Sequence, residues 1–372
     1  MAELLVPGDP APWFAAPTLT KAGFSFDSIA GRHVVLLFVG SAAMPSAVTA
    51  LAEVAGQRDL FDDTRACLFG ISNDPEDVSA GRIAHSLPGI RWFLDYDHAL
   101  AKRFRALSSH GVRAHWLLLD PMLRVVGRAD IDDGKTLLDE LRARLVRPEP
   151  DMPAPILILP NIFEPSFCQR LISLYEDNGG TPSGFMRQVN GKTVGIMDGR
   201  FKRRRDYNLD EGADESLRKQ VRMRITRFLV PQIERAFHFR VTRMERYVIA
   251  CYDGDGDGGF FRAHRDNTTA GTAHRRFACT INLNADDYEG GDLVFPEFGS
   301  RRYRAPTGGA VVFSCSLMHE ATPVTRGRRY AYLPFLYDEA AARQREEMAR
   351  TDKVGADLAT YRAEPDAHQH PA

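Results

Sequence analysis

The sequence lacks the features that would place it in several large classes. Its 372 residues hold five cysteines, Cys67, Cys168, Cys251, Cys279 and Cys315, and no two form a CxxC pair. An odd, scattered set with mostly apolar neighbours argues against a disulfide framework or a CxxC redox motif, and reads as small buried hydrophobes. Charge of neither sign is in excess: 48 Lys+Arg stand against 49 Asp+Glu. The electrostatic footprint of a dedicated nucleic-acid binder is therefore missing. No stretch approaches 18 apolar residues, so no membrane-spanning helix is expected. Glu3 stands where a signal peptide needs positive charge, and Pro7, Pro10 and Pro12 break the apolar stretch, so a cytoplasmic location is the expectation. No internal repeat is found.

What is present is ordinary globular sequence, 44% hydrophobic and 26% charged, which excludes wholesale disorder. At about 150 residues per domain, the length predicts two domains. Four prolines in VRPEPDMPAP (146–155) predict a stiff linker. The expected division is 1–147, a linker at 148–155, a second domain at 156–340, and a helix with a frayed tail at 341–372. Before the linker, buried strands at 34–40 and 66–72 alternate with helical patterns at 49–61, 79–87 and 136–145, and 115–120 with 124–130 reads as a hairpin. That is an α/β domain. After it, helices are expected at 165–178 and 214–237, the second long and amphipathic with a basic polar face. Short strands punctuated by Gly, Pro and Asn follow from about 241, the pattern of a β sandwich or barrel such as a jelly roll. A last helix is expected at 338–352.

The run DGDGDGG (253–259) matches the start of a calcium loop through Asp253, Asp255, Asp257 and Gly258, but His264 stands where the bidentate Glu belongs. Its GxGxxG spacing is followed by FFRAHRD rather than a helix, so a dinucleotide site is excluded too. It reads as a flexible acidic loop. In the HRD that follows, residues i and i+2 of a strand share a face, so His264 and Asp266 can offer an imidazole and a carboxylate to one ion. His319, at the end of an apolar run, is the candidate third ligand. Two His and one carboxylate leave coordination positions open, as non-haem Fe(II) oxygenases require, although zinc accepts the same set. Arg329, ten residues on, can clamp a carboxylate through paired hydrogen bonds, and Tyr252 can add a phenolic one. His274, in the loop after HRDN, and the basic run FKRRRD (201–206) read as solvated surface; His368 and His370 in the tail read as incidental.

Residues 154–338 resemble the prolyl 4-hydroxylase-like branch of the Fe(II)/2-oxoglutarate-dependent dioxygenases. The pieces that carry the resemblance are ILILPNIFEPSFCQRLISLYE, HRDN, TINLN with YEGGDLVFPEFG, and GGAVVFSCSLMHEATPVTRGRRYAYLPFLYD, in that order. The resemblance implies a double-stranded β-helix (jelly roll), with His264, Asp266 and His319 as Fe(II) ligands. It places Arg329 on the distal carboxylate of 2-oxoglutarate, with Tyr252, ahead of Asn282, as its helper. Some relatives carry a Tyr on the strand that holds Thr280 and Asn282 here. Asn267 and Arg276 are candidate substrate contacts. The implied activity is hydroxylation of a C–H bond in a peptidyl or free amino acid or small metabolite, with O2 consumed and succinate and CO2 released. Ascorbate is the implied rescuer of oxidised iron.

The N-terminal domain resembles a thioredoxin-like peroxiredoxin through PGDPAPWF, SIAGRHVVLLFVG, LFGISNDPED, FLDYDHALAKRF and WLLLDPMLRVVGR. In that family the helix after the first of these strands carries the peroxidatic cysteine, its pKa lowered by the helix N-terminus and an Arg. Here GSAAMPSAV puts Ser46 or Ala47 at that place, and a serine hydroxyl cannot cycle through a sulfenic acid. The expected fold is retained and the peroxidase lost, leaving a structural or substrate-presenting domain. The rival readings are a peroxiredoxin-like redox protein, against which the missing cysteine speaks, and a non-catalytic metal-binding module.

Overall fold

The apolar run VVLLFVG becomes the centre of the first sheet, as strand His33–Gly40. It pairs in parallel with Ala66–Ser72, which pairs in parallel with Ile90–Leu94. On its other side His115–Leu119 runs antiparallel and forms a hairpin with Val125–Asp130. Both faces of the sheet are covered, so its strands read as continuous apolar runs without alternation. Val35, Leu37 and Leu118 pack under helices Pro45–Gly56 and Gly134–Val146 through Ala47, Ala50, Leu137 and Leu141. The opposite face carries an aromatic cluster in which Phe14, Phe26, Phe93 and Phe104 make ring contacts. This is the expected thioredoxin-like fold.

The computed structural model describes residues 3–147, 152–210, 212–256, 258–351 and 353. It divides into two units, Met1–Met152 with Pro296–Gly299, and Pro153–Phe295 with Ser300–Ala372. The centre of the expected linker, the tail with His368 and His370, and Asp257 of the acidic run lie outside the described residues. No helix among the described residues is long and apolar enough to cross a membrane.

Two expectations are corrected. Residues 79–87 are not a helix: one helical turn, Glu76–Ser79, ends at Gly81, whose φ of +66° breaks the right-handed path. The segment 214–237 is not one regular helix but Glu215–Arg224, a π-helical Ile225–Leu229, and Val230–Phe237. Pro231 offers no N–H to the preceding turn, and a wider turn there accommodates it. Helix Pro45–Gly56 starts four residues before the apolar spacing begins, with proline at a position whose N–H needs no partner, and holds Ser46 and Ala47 in its first turn.

All five cysteines are buried, and burial pushes the Cys67 thiol up to about 12. Native protein at neutral pH is therefore expected to react with an aromatic disulfide reagent only slowly, releasing all five thiols after denaturation. A thiol that titrates within seconds in the native state would contradict this placement.

In the second unit all strand pairs are antiparallel, as a jelly roll requires. The larger sheet runs Leu157–Leu159, Ala310–Ser314, Phe277–Asn282, Arg328–Tyr332, Val248–Asp253, Arg205–Asn208, Thr181–Pro182. The smaller runs Lys202–Arg203, Phe260–His264, His319–Ala321, Leu293–Val294, Arg302–Tyr303. Helices Pro165–Asn178 and Glu215–Arg224 cover one face of the larger sheet. Phe167, Leu171 and Val221 share a core there with Ile249, Ile281, Val312 and Tyr332. Strand alternation then turns Tyr252 and Thr280 to the other face. The final helix is Glu339–Ala349, where the Asp338 carboxylate accepts the Ala341 N–H.

Candidate metal centre

His264 ends strand Phe260–His264 and His319 begins strand His319–Ala321, and the two are direct cross-strand partners. Their rings lie 4.3 Å apart. Asp266 is not on the strand, as the i, i+2 argument supposed, but in the bend just beyond it. Its N–H donates to the Cys315 carbonyl, and Asn267 donates to the Ser316 hydroxyl, so the bend is tied to the turn that delivers His319. Asp266 Oδ1 lies 3.5 Å from His264 Nε2 and Oδ2 lies 3.4 Å from His319 Nε2. One ligand atom from each residue falls within 4.8 Å of the others.

The opposite edge of each imidazole fixes its tautomer. His264 Nδ1 sits 2.7 Å from the Arg262 carbonyl and His319 Nδ1 sits 3.1 Å from the Leu317 carbonyl. Each Nδ1 must therefore carry the proton, which leaves the Nε2 lone pairs turned to Asp266. Burial, with His264 beside it, pushes His319 down to about 4, so its ring is neutral at neutral pH. Burial opposes ionisation of Asp266, but His319, His264 and Arg275 outweigh it and hold the carboxyl well below its usual range. Two imidazoles and one carboxylate suit a divalent first-row metal, and three protein ligands leave positions open.

Arg329 lies on strand Arg328–Tyr332 directly across from Tyr252. It is only 2% exposed, its guanidinium stands 4.9 Å from the Tyr252 ring, and its Nε and Nη1 have no hydrogen-bond partner among the described residues. Buried donors left unpaired cost stability, and a carboxylate placed in the cavity would satisfy these two. Gly291 makes room for them: at φ +66° it has no side chain, and a Cβ there would lie 3.1 Å from Arg329 Cδ. Tyr252, Arg329, Thr280 and the three metal-ligand candidates line one cavity.

Several residues fall differently from the sequence reading. Asn282 is buried but donates to the Ala305 carbonyl, outside the cavity lining. Arg276 is spent on the Ala273 carbonyl and Gln344, so it does not reach the cavity either. Asn267 is committed to Ser316. His274 is no solvated loop residue: it is 1% exposed, with Nε2 2.9 Å from Glu245. The run FKRRRD is solvated on one side only: Arg203 and Arg205 are exposed, but Lys202, Arg204 and Asp206 are buried. Arg204 binds Asp206 through two bonds of 2.7 Å and reaches Tyr252 Oη at 3.3 Å.

Sequence reasoning also missed Arg204 and Arg246 as cavity-lining residues, and Glu245 altogether. The alternation of Lys202, Arg204 and Asp206 along an extended segment was the available signal. Glu245 had none: it is a lone acid whose partners His274, Arg275 and Arg345 are distant in sequence.

Residues 247–337 match the 2OG-Fe(II) oxygenase superfamily, and residues 7–125 match the AhpC/TSA family. The PKHD-type hydroxylase PiuC of Pseudomonas aeruginosa is 31% identical over 130 residues, 33% of this chain and 54% of that protein. A PKHD-type hydroxylase of Polaromonas sp. is 38% identical over 85 residues, covering 22% of this chain and 37% of the relative. The chain thus spans about half the length, or less, of these curated relatives. Among solved structures, a Trichoplax adhaerens prolyl hydroxylase in complex with a hypoxia inducible factor peptide fragment is 18% identical with a TM-score of 0.40, covering 51% of this chain and 85% of its own. The bacterioferritin comigratory protein of Xanthomonas campestris is 19% identical with a TM-score of 0.32, covering 38% and 99%. The chain therefore carries a domain of the 2OG-Fe(II) oxygenase superfamily, preceded by a domain of the AhpC/TSA family.

Proposed function

We propose that the C-terminal domain hydroxylates a C–H bond of a peptidyl or free amino acid, or of a small metabolite, in a reaction that consumes O2 and 2-oxoglutarate and releases succinate and CO2. The observation that carries this is one cavity holding both a His-Asp-His cluster with Nε2 atoms presented and a buried guanidinium with two unpaired donors. His264, Asp266 and His319 would hold Fe(II), which supplies the redox chemistry when bound. Arg329 would take the distal carboxylate of 2-oxoglutarate as a paired hydrogen-bond donor, fixing the orientation of the 2-oxo acid toward the triad. Tyr252 stands between Arg329 and Arg204 and presents its ring and hydroxyl to the same space. Phe261, stacked 3.6 Å from His264, and Phe313, 4.5 Å from His319, keep water from the ligand rings. Ascorbate would serve as the reductant that restores oxidised iron. The N-terminal domain would hold no peroxidase activity, since Ser46 and Ala47 occupy the first helical turn and Cys67 lies inside a strand.

The test is to mix anaerobic protein with Fe(II) and 2-oxoglutarate and record the weak visible charge-transfer band of a chelated 2-oxo acid. The band is expected in the native protein and absent in His319→Ala. A native protein that shows neither the band nor 2-oxoglutarate binding would be a zinc or ligand-binding module instead.

A further inference from the structure

Around the cavity, four cationic side chains face two carboxylates. Lys202, Arg204 and Arg246 gather about Asp206, and Arg329 stands on the far side of Tyr252. The other carboxylate is Asp266. Fe(II) and dianionic 2-oxoglutarate cancel one another, so their binding leaves this imbalance unchanged. Burial pushes the Lys202 ammonium well below its usual range, and its Nζ is held by the Ser183 hydroxyl and the Gly184 carbonyl rather than by a carboxylate. A neutral Lys202 still leaves one positive charge over. The neighbouring acid, Glu245, offers none to spare, since Arg275 and His274 both bind it. An uncompensated charge held away from water costs several kcal/mol, and that cost falls when a ligand brings the opposite sign.

Arg246 is the cation with unused capacity. Arg204 is committed through Nε and Nη2 to Asp206 and through Nη1 to Tyr252. Arg246 donates only through Nη2, to Asp206 Oδ2 at 3.2 Å, and has no other hydrogen-bond partner among the described residues. Its side chain lines the cavity and is 26% exposed, so it can meet an incoming molecule. Its backbone sits at φ +67°, a left-handed conformation disfavoured for an arginine. The tertiary structure maintains that strained position between strands Arg243–Glu245 and Val248–Asp253. The Phe335 ring lies 5.6 Å from the Arg246 guanidinium and 4.0 Å from that of Arg275.

We propose that Arg246, steadied by Asp206, receives an oxyanion of the primary substrate, a carboxylate or a phosphate, and that the enzyme accordingly acts on an anionic molecule. A fork of guanidinium donors with one arm anchored is suited to either group. The inference rests on the oxygenase reading above, because it assumes that 2-oxoglutarate occupies Arg329.

The experiment starts from anaerobic protein saturated with Fe(II) and 2-oxoglutarate, with the charge-transfer band verified. Acetate and, separately, inorganic phosphate are then titrated in by calorimetry at constant ionic strength, with chloride as the control. At least one of them is expected to bind saturably. Its affinity should fall about tenfold or more in Arg246→Gln and by less in Arg246→Lys, while the band persists in both variants. The tighter of the two anions identifies the substrate group as carboxylate or phosphate. Saturable binding that survives unchanged in Arg246→Gln, or no saturable binding of either anion, overturns the proposal while the band still stands. No band in the native protein overturns the oxygenase reading instead.

Discussion

Arg329→Ala is expected to raise the 2-oxoglutarate concentration needed for half-saturation about thirtyfold or more, with Fe(II) binding by the triad retained. The reason is the setting of the guanidinium. It is buried, its Nε and Nη1 have no hydrogen-bond partner among the described residues, and Gly291 provides the space its side chain occupies. Removing one partner of a desolvated, hydrogen-bonded ion pair costs about 2–5 kcal/mol, and each 1.4 kcal/mol is about tenfold in affinity. Arg329→Lys should recover part of the loss, since an ammonium restores the charge without the paired geometry. The measurement is the band intensity as a function of 2-oxoglutarate. A variant that saturates at the native concentration would show that the distal carboxylate lies elsewhere.

Glu245→Ala is expected to destabilise the C-terminal domain by about 3–5 kcal/mol, lowering its melting temperature by about 10 °C or more. Glu245 is fully buried and binds Arg275 at 2.6 Å and His274 at 2.9 Å, with Arg345 from the last helix 3.9 Å away. The variant removes the carboxylate that the buried Arg275 guanidinium binds. Arg275 also reaches the Asp266 carbonyl at 3.5 Å, so Fe(II) affinity should weaken alongside stability. Burial alone would raise the Glu245 carboxyl, but Arg275 and His274 outweigh it and hold it well below the usual range. A carboxyl depressed in the folded state contributes its stability above the unfolded pKa, about 4.3, and loses it as pH falls toward the folded value. The stability gap between native and variant should therefore be full at neutral pH and narrow in acid. Calorimetric melts at several pH values measure it; a loss of under about 1 kcal/mol at pH 7 would mean that the cations are solvated or paired elsewhere.

The residues most legible in the sequence were those whose chemistry is local or ordered along the chain. HRDN, His319 and Arg329 could be read because residue type, spacing and strand context all pointed to one divalent site with open positions. Even there the route differs: Asp266 reaches the centre from a bend pinned to Cys315, not from a strand face. Basic runs and loop histidines are usually solvated, yet Lys202, Arg204, Asp206 and His274 are buried. Whether such a group is buried depends on a partner, and the partners Asp206 and Glu245 act through contacts that no single-sequence pattern displays.

The sequence by itself determined the two fold classes, the identities of the candidate metal ligands, and the lack of a cysteine in GSAAMPSAV, because each depends on periodicity or on which atoms a side chain carries. Only the tertiary structure decided that Arg204 and Arg246 face the cavity, that Asn282 and Arg276 do not, and that Glu245 is buried against His274 and Arg275. The physical reason is that burial converts a charge from a solvated ornament into a cost that must be balanced in space, and that balance is struck between strands that meet only when the chain has folded.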